Sequence, residues 1–262
     1  MHLSYGLIFL VVVVTSTAAG ALAWLVRRTV PVDMLRRHHE MGGAVFLQLG
    51  VVFAVLLAFV FNEAWTGYEA AAEAINGECG GLHGAAILAG NLPGPERARM
   101  EQAIHAYITV VIGAEWKAMA ARKNSTAATA SFEAMLSTAA QLPAETARVE
   151  ALKPQIVELL THAHQERETR LFQLTLGVPT MIWCLLGLFS VILISFLFAF
   201  GIDYVASQVT FVAVFAAMLC FALLTVRMLD YPFEGPLRLS PLDFQATLVK
   251  VDSLIAAGPA QL

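Results

Sequence analysis

The sequence predicts an all-α membrane protein with four transmembrane helices in two pairs and an α-helical extramembrane domain between the pairs. Of its 262 residues, 58% are hydrophobic and only 14% are charged, whereas a typical soluble domain is about one quarter charged. Four apolar runs are long enough to cross a bilayer, which takes roughly 20 helical residues. No run alternates with a period of two, so no β-sheet is expected.

The first transmembrane pair occupies residues 1–63, with spans at about 7–26 and 44–61. The opening "MHLSY" lacks the positive charge of a secretory signal peptide, so the first span is interpreted as an uncleaved anchor. A basic loop, "RRTVPVDMLRRHHEMGG", joins the two spans and carries four arginines. Its "RRHHE" stretch is interpreted as a membrane-surface charge cluster rather than a set of metal ligands.

The extramembrane domain occupies residues 64–170 and is expected to be helical throughout. "NEAWTGYEAAAEAINGE" continues the second span with no breaker until Gly77, so that helix should extend beyond the bilayer. "NLPGPERARMEQAIHAYITVVIGAEWKAM" begins with prolines and acidic residues and has apolar residues at helical spacing. "KNSTAATASFEAML" supplies Ser or Thr caps for another helix. The final segment, ending in "HAHQERETRLF", is expected to run straight into the third span.

The second transmembrane pair occupies residues 171–228, with spans at about 174–200 and 209–226 joined by "GIDYVASQ". Residues 229–262 then form a turn and an amphipathic helix. In "SPLDF" at the start of that helix, Ser240 and Asp243 have the spacing of a capping box. With an even number of spans, both termini and the extramembrane domain lie on one side of the membrane.

Composition and motifs exclude several classes of function. A net charge of −4 gives no reason to expect nucleic acid as a partner, and three widely spaced cysteines predict neither disulfides nor a zinc site. His162 with Glu166, and His164 with Glu168, favour a solvated helix face over a metal site, since the two pairs face different directions. No catalytic motif is present, so we expect no enzyme, no cofactor and no metal. The spans nearly lack ionisable residues, which disfavours proton-coupled transport.

Four short motifs along the chain carry a family resemblance. They are Trp65 and Tyr68 after the second span, Glu115 and Trp116 in the extramembrane domain, Pro179 and Trp183 in the third span, and Asp230, Pro232, Phe233 and Gly235 after the fourth. In this order they resemble the bestrophin-like family of bacterial and plant membrane proteins and, more distantly, the bestrophin ion channels. The resemblance covers nearly the whole chain. Taken alone, the aromatic pair after the second span is equally typical of interfacial anchors.

The resemblance implies a passive ion channel built from five copies of the chain in a bacterial inner membrane. The second span would then line the pore, with an apolar constriction at Leu47, Val51 and Val55 and with Gln48 and Phe59 beside it. The helical period places the first three on one face, although lipid-facing or packing positions would show the same pattern. The acidic run of the bestrophin calcium clasp is missing here, so calcium gating is not expected. The expected partners are copies of the chain, the lipid bilayer and ions.

We also expect the Pro-Phe turn to dock the C-terminal helix against the extramembrane domain, with Phe233 buried there and Asp230 and Tyr231 fixing the angle. Trp116 should pack between helices or subunits. Glu115 should pair with a basic residue or with the turn near Asp230, because a charged group inside a helical core needs a partner.

Two alternatives stay open at this point. The positive-inside rule places the basic first loop in the cytoplasm, whereas the resemblance places the extramembrane domain there. Four arginines near the membrane ends on that second side oppose the first assignment: Arg167, Arg170, Arg227 and Arg238. The alternative function is a non-conducting membrane scaffold or sensor whose helical domain binds a partner. A closed ring of subunits would distinguish a channel from such a scaffold.

Overall fold

The computed structural model describes residues 4–36, 39–143 and 146–257, and this part of the chain contains helices and loops without a strand. The predicted all-α fold class is therefore confirmed. The elements are α1 (Tyr5–Thr29), α2 (Val32–Arg36), α3 (His39–Ala89), α4 (Gly94–Val110), a π-helical segment (Val111–Glu115), α5 (Trp116–Met119), α6 (Thr126–Ala140), α7 (Ala147–Phe172), α8 (Thr180–Phe198), α9 (Val205–Leu229) and α10 (Leu242–Ala257).

Four of these helices are long and apolar enough to cross a membrane, as the sequence predicts. They lie at Tyr5–Thr29, Met41–Ala89, Thr180–Phe198 and Val205–Leu229. Helix α3 has 51 residues, which at 1.5 Å per residue is about 77 Å of helix, more than twice a hydrocarbon core of about 30 Å. It continues past Gly77 without a break, as the sequence predicts.

Two boundaries differ from the sequence-based expectation. Helix α7 ends at Phe172 and α8 begins only at Thr180, so the prediction that the extramembrane domain runs straight into the third span is wrong. The physical reason is Pro179, which disfavours helical geometry at Val178 and lies at the N-cap position of α8. The basic loop of the first pair contains the short helix α2, and α3 begins earlier than the predicted span. The side chains of the "RRHHE" cluster lie outside the described residues.

The chain divides into two compact units. The first, here called the membrane unit, comprises Met1–Thr66 and Gly177–Tyr231. The second, the helical unit, comprises Gly67–Leu176 and Pro232–Leu262. The turn at Pro232 and helix α10 therefore belong to the same compact unit as the extramembrane helices.

In the membrane unit, small residues bring α1 close to α9. A Cβ added at Gly20 would lie 3.4 Å from Val209 Cγ1, and the Ser16 hydroxyl donates to the Ala213 carbonyl at 2.9 Å. Close approach through small residues is the usual way for helices to associate in lipid, where burial of apolar surface gives little driving force. On α3, Phe53 packs against Phe189 of α8 with ring centroids 6.2 Å apart.

In the helical unit, α3 and α7 approach closely at a glycine. A Cβ at Gly81 would lie only 2.8 Å from the Leu159 carbonyl oxygen, so only glycine fits there without a shift. Around this contact the core is built from α3, α4, α6, α7 and α10. Its fully buried side chains include Leu82, Met100, Ile104, Tyr107, Phe132, Met135, Ile156, Leu160 and Phe244.

Candidate functional site

One face of α3 is apolar and uncovered by the rest of the chain. Leu47, Val51 and Val55 are 67%, 57% and 51% exposed, and Phe59, one turn further, is 72% exposed. Phe53, on the opposite face of the same helix, is 4% exposed. Successive i, i+4 positions share a helix face, so these four residues form one continuous stripe. We call it the α3 stripe.

Gln48 is also exposed and lies beside the stripe. It precedes Val55 by seven residues, which is close to two helical turns, whereas it is only one residue from Leu47 and so about 100° around the helix from it. Gln48 is therefore the polar neighbour of an otherwise apolar surface.

A second feature, in the helical unit, is a buried cluster of two carboxylates and two guanidinium groups. Arg170 Nε donates to Glu78 Oε2 at 2.9 Å, and Arg170 Nη2 donates to Glu115 Oε2 at 2.8 Å. Arg167 Nη2 donates to the other oxygen of Glu115 at 2.5 Å, and the Tyr107 hydroxyl donates to Glu78. The two positive and two negative charges balance, which is what allows them to be buried.

A π-helical segment, Val111–Glu115, brings one of these carboxylates into the cluster. The wider turn shifts the helical register locally, and such segments are found frequently at functional sites. Glu115 at its end is fully buried, and the next residue, Trp116, donates its indole N–H to the Leu239 carbonyl at 3.2 Å. The expectation that Glu115 pairs with a basic residue is confirmed, since it binds both arginines.

Burial and neighbouring charges shift the pKa values of the groups in the cluster. Burial alone lowers the pKa of Arg170, but the carboxylates of Glu78 and Glu115 outweigh this effect and raise it. Burial, followed by the neighbouring charge of Glu78, raises the pKa of Tyr107 well above its usual range. Arg170 therefore stays charged and Tyr107 stays a hydrogen-bond donor at any physiological pH. Burial raises the pKa of Glu78, against the opposing effect of the Arg170 charge and of the hydrogen bonds from Arg170 and Tyr107.

The Pro-Phe turn packs on the same region of the helical unit. Gly235 has a φ of 73°, a left-handed conformation that favours glycine, and Leu239 N donates to the Pro232 carbonyl at 2.7 Å to close the turn. Phe233 is 4% exposed and meets Trp116 edge to face, with ring centroids 6.0 Å apart. Phe233 is thus buried in the helical unit as expected.

The remaining motif residues are distributed over both units. Tyr68 donates its hydroxyl to the Leu237 carbonyl at 3.0 Å, within the helical unit. In the membrane unit, Trp65 stacks on Phe61, and a carboxylate oxygen of Asp230 accepts from Val178 N at 2.7 Å. This last bond gives the backbone N–H of Val178, in the loop before Pro179, a hydrogen-bond partner.

The sequence analysis did not predict the partners of two arginines. Arg167 and Arg170, which it placed near a membrane end, are buried in ion pairs within the helical unit. A signal for this existed: they continue, at i+4 and i+7 from Ala163, the apolar stripe that Ile156 and Leu160 begin. Charged residues in register with an apolar helix face predict a buried pair.

The expected solvated face around His162 is seen, where an exposed His162 lies 3.5 Å from Glu166. His164 instead packs its ring against Phe132. Across the described ranges 4–36, 39–143 and 146–257, no group of three or more potential metal ligands comes together.

The arrangement defines a class: a four-span, all-helical membrane protein whose second span continues as a long helix into an extramembrane helical unit. The family model for the bestrophin-like domain matches residues 13–244, and the chain belongs to the bestrophin-like family. Among solved structures, it is similar to a bacterial bestrophin homologue from Klebsiella pneumoniae, with a TM-score of 0.73, 12% identity, and coverage of 95% of this chain and 98% of the other.

A variant of that Klebsiella homologue gives a TM-score of 0.74 at 12% identity, covering 93% of this chain and 99% of the other. Another crystal structure, described as a membrane protein, gives 0.67 at 12% identity, covering 95% and 99%. At such low identity these likenesses establish the fold. No curated protein matches the chain.

Proposed function

We propose that the chain is the subunit of a passive ion channel in a bacterial inner membrane, with five copies around an axis and the α3 stripe facing the pore. The observation that carries the proposal is the exposure of Leu47, Val51 and Val55 on the face of α3 opposite Phe53. The bestrophin-like family and fold support it, because the bestrophins that the sequence resembles are ion channels.

The α3 stripe has the chemistry of a hydrophobic gate. Five copies of Leu47, Val51 and Val55 would form three stacked apolar rings, which offer an ion no replacement for its hydration shell. Such constrictions gate by dewetting, closing when narrow and conducting when slightly wider. Gln48 would place a polar amide beside the rings.

Over the described residues, helices α1, α8 and α9 contain no Asp or Glu, so a charge relay within one copy is disfavoured. A path on an axis shared by several copies needs only the apolar stripe. The same scarcity of polar groups supports passive flow rather than coupled transport.

The test is ion flux through reconstituted liposomes after Leu47, Val51 and Val55 are all changed to alanine. If these residues form the constriction, the smaller side chains widen and wet it, and flux rises above that of the wild type. The measurement is either the release of a trapped ion from the liposomes or the fluorescence change of a potential-sensitive dye. Both are compared at equal amounts of incorporated protein.

Two controls accompany this experiment. Gln48→Ala should alter conduction less than the triple change, and Val214→Ala alters an exposed position on α9 that is not in the stripe. A triple variant that assembles normally while its flux stays at background contradicts the channel. The scaffold or sensor function would then be favoured.

A further inference from the structure

A groove of about 540 Å³ lies in the membrane unit between α1, α8 and α9. It is lined mainly by apolar side chains, with Trp183 near the start of α8 and Arg227 in the last turn of α9. Along α9 it extends from Ala216 to Arg227, about 16 Å at the helical rise. The volume is in the range that binds drug-sized ligands.

Three of the polar side chains in the groove wall take part in hydrogen bonds within the protein. The Ser190 hydroxyl donates to the Leu186 carbonyl at 2.7 Å, and Cys220 Sγ donates to Thr15 Oγ1 at 3.7 Å. Over most of its length a ligand in this groove would therefore meet apolar surface, which suits a hydrocarbon chain.

Arg227 gives the groove a charge. Its guanidinium lies 3.7 Å from the centroid of the Tyr231 ring. Helices α1, α8 and α9 carry no carboxylate, and no Asp or Glu lines the groove. The groove wall itself is therefore positively charged at this end.

We propose that this groove binds one acyl chain of an anionic phospholipid whose headgroup phosphate pairs with Arg227. The two halves of such a lipid match the two parts of the groove, a dry apolar channel and a single cation at the end of a membrane helix. Basic side chains at the ends of membrane helices are known to attract anionic headgroups.

The test measures Trp183 fluorescence in phosphatidylcholine bilayers that contain brominated phosphatidylglycerol or, in parallel, brominated phosphatidylcholine. Bromine on an acyl chain quenches a tryptophan that it touches, and comparison with Trp183→Phe isolates the contribution of Trp183. We expect half-maximal quenching at an about fivefold lower mole fraction of the brominated anionic lipid, since one basic residue near an anionic surface is worth about 1 kcal/mol. Arg227→Gln should reduce that ratio to about one.

Gly187→Leu supplies a second variant. A Cβ at Gly187 would meet no heavy atom within 4 Å, so the larger side chain fills the groove with little strain and should abolish quenching by both lipids. Gly6→Leu, equally unobstructed but away from the groove, should leave it unchanged.

Equal quenching by the two lipids in the wild type overturns the choice of an anionic headgroup. Absence of quenching by either lipid overturns the lipid altogether and indicates that a second copy of the chain covers the groove. The readout needs no ion flux, so its failure is distinct from failure of the proposed channel.

Discussion

The buried side chain of Arg170 contacts several elements of the helical unit at once. Its guanidinium binds Glu78 of α3 and Glu115 of the π-helical segment, and it lies 5.4 Å from the Phe244 ring of α10. Nη1 also contacts Met119 Sδ at 2.7 Å. A single buried cation thus ties four parts of the unit to α7.

Arg170→Met should strongly destabilise the helical unit. The change leaves two carboxylates with only Arg167 to balance them, and breaking a buried pair on one side costs about 3–5 kcal/mol. Thermal unfolding in detergent measures the effect, with Lys250→Met as the control because Lys250 is exposed on α10. If the Arg170→Met and Lys250→Met proteins have the same melting temperature, the cluster contributes little to the stability of the helical unit.

Phe233→Ala should also lower the melting temperature. Truncating a buried Phe typically costs about 3–5 kcal/mol through lost transfer energy and the cavity left behind. Leu242→Ala, an exposed apolar position in the same unit, serves as the control and should be nearly neutral. Wild-type melting and wild-type oligomer size in Phe233→Ala would mean that the Pro-Phe turn does not anchor the C-terminal segment.

At the scale of elements, the contact between α3 and α7 depends on which of two adjacent glycines faces the partner helix. Gly81 points at the Leu159 carbonyl and at Ala163, whereas a Cβ at Gly80 would meet nothing within 4 Å. The neighbours therefore provide a matched pair of sites with the same local sequence and opposite packing.

Gly80→Ala should stabilise the protein, because alanine is about 0.8–1.0 kcal/mol more favourable than glycine inside a helix. Gly81→Ala should destabilise it, since the new methyl group would lie 2.8 Å from backbone and overpacking costs about 1–3 kcal/mol. Differential scanning of the two purified variants measures the difference. Shifts of the same sign would contradict the close α3–α7 approach.

The elements that depend on composition alone were predictable from the sequence. The four spans follow from hydropathy, and the C-terminal turn from Pro232 and Gly235, because both signals are local. The π-helical segment and the break between α7 and α8 were not predicted. The sequence predicted a basic partner for Glu115 but not which one, since Arg167 lies 52 positions away along the chain. The only sequence signal for this pairing is that the arginines of α7 lie in register with its apolar face.

At the scale of the whole molecule, the proposed channel requires a defined number of copies. Five chains of 28.3 kDa would give a protein mass of about 140 kDa, and head-to-tail interfaces form a closed ring when the rotation between copies closes. Native mass spectrometry of the detergent-solubilised protein should show this species. A monomer or dimer that persists in mild detergent would remove the ring and favour a scaffold.

The buried charge cluster also has a consequence for how the chain is made. Glu78 leaves the ribosome 92 residues before Arg170, and at about 5–20 residues per second this is an interval of several seconds or more. Until the arginines emerge, the carboxylates must stay hydrated. Phe233 and Phe244, which cover the same region, follow only after α8 and α9 have been synthesised. The helical unit of a nascent chain therefore closes only after α9 has been synthesised, and a chain stopped before Phe244 would carry an open core.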